Sequence, residues 1–297
     1  MNEIIEVNQA DLLQASNRAD IDAQVATAHA YPRNIQKVLN NIETLATMDR
    51  ETAEDCFYVL RRKDRNGNDS VIEGLSVRMA EIIANAWGNL RVATRIVGND
   101  GRMITAQAIC HDLETNVAVC KEVKRSIVTK TGNTFSQDMQ VVTGNAASSI
   151  AFRNAVLTVI PKAVTKRIIN NVRTVALGQA IDIETSRQNI VQYFAKIGVK
   201  EEQLFFYLDV KDLQGIDKQK IFELRATANA IKEGTTTVEE CFVKPMQEAK
   251  RQVEAAKKST DAKERAVAAI AKATGATIDT ETGEILAEKK TSKTAKK

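Results

Sequence analysis

The spacing of apolar positions changes several times along the chain, and each change marks a new element. Residues 1–30 are polar with scattered aliphatics and no sustained period, so they are expected to form a flexible N-terminus, mostly disordered or weakly helical. Pro32 suits a first helical turn because it has no N–H to satisfy. Ile35, Val38, Leu39, Ile42 and Leu45 then recur at three- and four-residue spacing and predict an amphipathic helix. From Cys56 the pattern turns strand-like, through Phe57, Tyr58, Val59 and Leu60. A polar turn over 63–69 contains Asn66-Gly67, a pair that favours a tight hairpin, and Val71-Ile72 begins the return strand. Ser76 is placed to cap a helix that buries Met79, Ile82, Ile83 and Ala86 and ends at Gly88.

Three strands are predicted next, over Leu90–Val97, Met103–His111 and Val117–Ile127, with connections short enough for antiparallel pairing. In the third, Val117, Val119, Lys121, Val123 and Arg125 share one face, and Ala118, Cys120, Glu122, Lys124 and Ser126 the other. A polar loop precedes a long helix from about Met139 to Ile160. Its first half is small-sided (Gly144, Ala146, Ala147, Ser148, Ser149, Ala151), which lets a helix lie close to a sheet or to a bound strand. Pro161 interrupts it, and Ala163–Ala176 resumes as far as Gly178. Residues 179–186 read as a linker, and 187–243 as a helical partner-binding domain built on Ile190, Phe194, Leu204, Leu208, Ile221 and Leu224. Residues 244–297 read as a charged helix and a basic disordered tail. The predicted fold is α+β. A hairpin plus a three-stranded antiparallel meander packs against long helices over 31–178, with a small C-terminal helical bundle.

Charge sharpens this picture. The net charge of +4 is unevenly spread: residues 1–55 hold 4 Lys/Arg against 10 Asp/Glu, and residues 56–178 hold 17 against 9. A basic middle block points to a polyanionic partner. Cys56, Cys110, Cys120 and Cys241 lack C-x-x-C spacing and read as reduced thiols of a cytoplasmic protein, with no metal site expected. No apolar run reaches the length of a membrane span, so no membrane partner is expected, and no cofactor motif appears. The absence of a G-x-x-x-x-G-K-[ST] loop argues against P-loop ATP hydrolysis. Asp112 with Glu122-x-Lys124 matches the D…E-x-K order of metal-dependent nucleases, although Glu and Lys two apart on a strand are ordinary surface charges.

The cations Arg61, Arg62, Lys63, Arg65, Arg78, Arg91, Arg95, Lys121, Lys124, Arg125, Lys130, Arg153, Lys162, Lys166 and Arg167 fall on elements expected to adjoin one another. Such a set would track phosphates without reading sequence. Phe57, Tyr58, Trp87, Phe135 and Phe152 are near enough in sequence for base stacking. Phe57, Trp87 and Phe152 fit a core better, and Phe135 fits stacking.

Three segments carry a resemblance: Arg61-Arg62-Lys63-Asp64-Arg65-Asn66, Gly74-Leu75-Ser76-Val77-Arg78-Met79, and Ala151-Phe152-Arg153-Asn154-Ala155-Val156. With the order of elements, they resemble the Redβ/RecT superfamily of phage-type single-strand annealing proteins, over roughly 56–178. The resemblance implies ATP-independent binding of single-stranded DNA, annealing to a duplex product, and a homo-oligomer, ring or filament. It carries Arg153 over as the first DNA contact and Arg78 as the next. Cations that the family places early in the long helix are replaced here by Gln140, Thr143 and Asn145, which shifts the expected contacts toward Lys162, Lys166 and Arg167. The full set of expected DNA contacts is Arg61, Arg62, Arg65, Arg78, Lys124, Arg125, Lys130, Phe135, Arg153, Lys162, Lys166 and Arg167. Residues 187–243 resemble small helical tails that could dock a phage exonuclease or the host single-strand binding protein. The alternatives are a nuclease using Asp112, Glu122 and Lys124, and a self-assembling phage structural protein without DNA activity.

Overall fold

The computed structural model describes residues 9–63, 69–129, 131–178, 183–255, 277–278 and 285–287. The chain is α+β and falls into two units, Met1–Cys241 and Phe242–Lys297. The first unit contains α1 (Gln9–Ala30), a 22-residue helix where disorder or weak helicity is expected. The helix forms because Gln9–Ala30 contains neither Gly nor Pro and is rich in alanine, which favours helix without an apolar stripe. The amphipathic helix α2 (Ile35–Ala46) starts at the Asn34 cap, two residues after Pro32, and buries Val38, Ile42 and Ala46. A short α3 (Arg50–Asp55), which apolar periodicity does not reveal, is capped by Asp49 through the Thr52 N–H.

The hairpin forms as expected, with β1 (Phe57–Lys63) antiparallel to β2 (Asp69–Leu75), and its turn lies outside the described residues. Helix α4 (Val77–Trp87) is capped by Ser76 and stopped at Gly88, whose φ of 65° favours glycine. The meander is β3 (Leu90–Asn99), β4 (Met103–Asp112) and β5 (Val117–Ser126), in the order β3-β4-β5. Along β5, Val119, Lys121, Val123 and Arg125 are half-buried and alternate with exposed neighbours, as the parity predicts.

Helix α5 (Gln137–Val159) lies across the meander, and small residues make both sides of that contact. Gly144, Ala147, Ala151 and Ala155 of the helix are buried, as are Ala106, Ala108 and Cys110 of β4. With little side chain on either side, dense interior packing requires the backbones to approach closely. The small-sided half of α5 therefore serves the sheet. After Pro161, α6 (Lys162–Leu177) turns back and packs on α2 and α3.

The helical segment is not a separate domain. It comprises α7 (Ile183–Lys196), α8 (Glu201–Leu208) and α9 (Lys218–Lys232), so the expected linker is shortened by the first turn of α7. Helix α9 packs on β1 and α3, with the Phe222 ring 5.4 Å from Phe57 in an edge contact. Asn229 Nδ2 donates to the carbonyls of Glu54 and Phe57, each at 3.1 Å, and satisfies the corner where α3 turns into β1. The reason is hydrophobic: Phe222 and Ala226 belong to the same buried cluster as Ile42, Met79 and Ile83. In the second unit, residues 244–255 are helical, and Thr277–Ile278 pairs with Ile285–Ala287 in a strand pair that the reading of a disordered tail does not include. Residues 288–297 lie outside the described ones.

Candidate nucleic-acid interface

The corner between α5 and α6 faces the β1–β2 hairpin across a cleft of about 710 Å³. Pro161 makes the corner, because a proline cannot continue α5 and supplies no N–H there. The cleft draws Tyr58, Gly74 and Glu73, which is paired with Arg173, from the hairpin, Lys121 from β5, Arg153 from α5, and Lys162 and Lys166 from α6. Lys162 and Lys166 are exposed, while Arg153 is only 6 % exposed. Helix α6 begins with no side-chain cap and no acidic residue in its first turn. Helix N-termini favour negative charge, so lysines in the first two turns leave the positive dipole end uncompensated within the chain.

Arg153 is held by a stack. Tyr58 pairs with Gly74 across the hairpin, and a Cβ at Gly74 would come within 2.7 Å of the Tyr58 ring. The missing side chain thus lets the ring lie flat over the strand, and the Arg153 guanidinium sits 4.5 Å from the ring centroid. Tyr58 thus serves as the platform for Arg153. The ionic partner of Arg153 is Glu233, 3.6 Å away, and among the described residues no hydrogen bond reaches the guanidinium. Glu233 accepts the Val77 N–H at 2.8 Å. Burial pushes its carboxyl above the ordinary range, opposed by that N–H and by Arg153. Buried donors in folded proteins are nearly always paired with protein, water or a bound ion. Arg153 Nη1 is thus buried without a hydrogen bond, at the edge of a cleft that three lysines line.

Other expected contacts do not reach this cleft. Arg61 pairs with Glu223 at 2.6 Å and lies over Tyr207, tying β1 to α9. Arg78 is exposed and pairs with Glu81 one turn on. Arg125 donates to the carbonyls of Gly234 and Thr235, neutralising the end of α9. Lys124 projects from the opposite face of β5 to Lys121. Phe135 is half-buried in the loop before α5, where its N–H donates to the Ile127 carbonyl. Arg167 is exposed on α6 beside Lys166 without lining the cleft. Arg65, Lys130 and the side chain of Arg62 lie outside the described residues. Phe57 and Trp87 are core residues, and Phe152 packs against the core.

The D…E-x-K residues are not gathered either. Asp112 is buried and clamped by Arg33, whose Nη1 and Nη2 donate at 2.5 and 2.6 Å, and by Trp87 Nε1 at 3.3 Å. Burial opposes its charge, but these bonds and the Glu114 N–H more than offset it and hold the carboxyl at about 2. Asp112 pairs with Val117, five residues before Glu122, so the two carboxylates stand roughly 17 Å apart along β5. Glu122 accepts instead from Gln107 at 3.2 Å. Among the described residues no three His, Cys, Asp or Glu side chains cluster to hold a metal ion. Nor is any helix there long and apolar enough to cross a membrane.

The sequence offers no signal for Glu233, which lies 80 positions from Arg153, nor for the pairing of Tyr58 with Gly74 that supports the guanidinium. Comparison of the chain with family models, with curated proteins and with solved structures gives no match in any of the three.

Proposed function

We propose that the α5–α6 cleft holds the backbone of single-stranded DNA. On this reading the chain, as a cytoplasmic homo-oligomer, anneals complementary strands without ATP in phage-type homologous recombination. The observation that carries the reading is Arg153, a buried guanidinium without a hydrogen bond among the described residues, in one cleft with Lys121, Lys162 and Lys166 beside an uncapped helix end. The resemblance to the Redβ/RecT superfamily points the same way. The mechanism needs no covalent step. Phosphates held by the four cations leave the bases free to pair, and neutralisation lowers the repulsion felt by an incoming complementary strand. Repetition of the cleft in an oligomer makes a weak single site effective through multivalency. A phage exonuclease or the host single-strand binding protein would meet the α7–α8 side, where Phe206 is 40 % exposed, because α9 is committed to the hairpin.

The test is annealing of two complementary oligonucleotides without ATP across a salt series. Annealing well above the spontaneous rate, weakened by Arg153→Ala and by Lys162→Ala/Lys166→Ala, is the expected result. Four phosphate contacts correspond to a log–log salt slope of roughly −3 per site. No binding at low salt would overturn the reading.

A further inference from the structure

We propose that Glu233 is a positioning residue of the α5–α6 cleft: a phosphate that draws Arg153 to itself leaves Glu233 to take up a proton in exchange. This rests on the reading above that the cleft holds a DNA backbone, and adds how that site is regulated. Arg153 lines the cleft, and Glu233 does not. Glu233 lines a second cavity, of about 280 Å³, together with the exposed Arg78 and Lys232, which bring it to the surface. The two side chains therefore meet through the wall between two cavities. Arg153 Nη1 and Glu233 Oε2 stand 3.6 Å apart, both atoms buried, and neither makes a hydrogen bond among the described residues. The other oxygen, Oε1, accepts the Val77 N–H at 2.8 Å. A proton on Oε2 leaves that bond intact, because a protonated carboxyl keeps an acceptor oxygen.

The charges around Glu233 set the direction of the exchange. Burial favours the neutral acid most, and Glu81 of α4 adds to it. The Val77 N–H, Arg153 of α5 and Arg78 of α4 favour the carboxylate, and the balance leaves the carboxyl above its ordinary range. Asp55 of α3 and Lys232 of α9 line the same cavity, and Arg125 of β5 is spent on the Gly234 and Thr235 carbonyls. Arg78 is exposed and paired with Glu81, so Arg153 is the buried cation opposite Glu233. When a phosphate shares Arg153, the cost of burial stays while the attraction falls, and Glu233 binds a proton more tightly. The proton comes from solvent and forms one O–H bond at Oε2. Linkage runs both ways: a bound strand favours the proton, and acid favours the strand. Affinity therefore falls as pH rises through the raised range of this carboxyl, by at most about tenfold per pH unit for one proton. His29 and His111 line neither cavity.

The experiment is titration calorimetry of the full chain with oligothymidylate, whose bases do not titrate between acid and neutral pH. Buffers are paired so that pH and salt match and ionisation enthalpy differs, which reads the protons taken up on binding. The wild type is expected to take up part of a proton per bound chain, most where its affinity falls most steeply with pH. Glu233→Gln is expected to bind at every pH as tightly as the wild type does in acid, with that uptake gone. Arg153→Gln keeps Glu233 but leaves it no cation to lose, and is expected to bind more weakly and also without the uptake. Circular dichroism checks that the variants fold, and either one decides the matter alone. Normal binding by the wild type without uptake, or uptake that a folded variant retains, would overturn the role of Glu233 and leave the DNA reading standing. So would a Glu233→Gln affinity lowered equally at every pH, the mark of a purely structural residue. No binding of oligothymidylate by the wild type at low salt would overturn both.

Discussion

Arg153, buried, and Glu233, half-buried, face each other across 3.6 Å, and neither Arg153 Nη1 nor Glu233 Oε2 makes a hydrogen bond among the described residues. At that distance the charges attract without a hydrogen bond, and on the proposed reading Glu233 competes with a phosphate for the guanidinium. Replacing Glu233 by Gln removes the competing charge while keeping the shape. Glu233→Gln is expected to tighten single-stranded DNA binding several-fold. Arg153→Ala is expected to weaken it and to flatten the salt slope by about one unit. Fluorescence anisotropy at several salt concentrations reads both effects.

Asp112 and Arg33 join the sheet to the segment that leads into α2, 79 positions away in sequence. Removing one partner of a buried ion pair strands the other, so Arg33→Ala and Asp112→Asn are each expected to cost about 3–5 kcal/mol, read from denaturant unfolding. The Asp112 carboxyl is held down to about 2, below its unfolded value of roughly 3.9. Its stabilising effect is thus fully present above the unfolded value and is lost as the pH falls through about 2. Glu233 works in the opposite direction: burial raises its pKa, so its charged form costs stability at neutral pH and protonation relieves that cost. The Asp112→Asn chain is expected to lose less stability on acidification than the wild type.

Gly144 sits inside α5, and a Cβ there would meet Ile96 and Ile104 at ordinary contact distances of 3.6–3.9 Å. Alanine fits that space and removes the entropic penalty of glycine within a helix. Gly144→Ala is expected to stabilise the chain by about 0.5–1 kcal/mol, seen as a higher unfolding midpoint. Ala147→Leu, on the fully buried face one turn on, is expected to destabilise it by about 1–3 kcal/mol through overpacking.

Of the four thiols, Cys120 is exposed on the open face of the meander and the others are buried. Burial, with Asp55 nearby, pushes Cys56 up to about 12. Burial, with Asp112 nearby, pushes Cys110 to about 11. The thiolate is the reactive form, so these two are protected by chemistry as well as by access. Brief iodoacetamide treatment at neutral pH is expected to modify Cys120 alone, as peptide mass mapping would show.

Elements whose signals are local were legible in the sequence. Ser76 and Gly88 bound α4 as caps should, the parity of β5 sorts Lys121 from Lys124, and Pro161 marks the corner that shapes the cleft. What was not legible depends on partners far along the chain. Charge alone does not separate Arg61, consumed by Glu223, from Lys162, which is free to meet solvent. Helix α1 has no apolar face to announce it, and α3 is too short for a period, although its Asp49-x-x-Thr52 start was there to be read. The helical segment looked separable because its apolar residues suffice for a bundle. Phe222, Ala226 and Asn229 nonetheless face inward to β1 and α3.

That last arrangement bears on how the chain can be altered by shuffling. A gene ending after Gly178 would encode every cation of the cleft, yet its product would lack the carboxylate that balances Arg61 and the amide that finishes the α3–β1 corner. Helix α9 is thus a late-synthesised part of the early half of the molecule, and a recombination junction between the two would leave Arg61 unbalanced and the α3–β1 corner open.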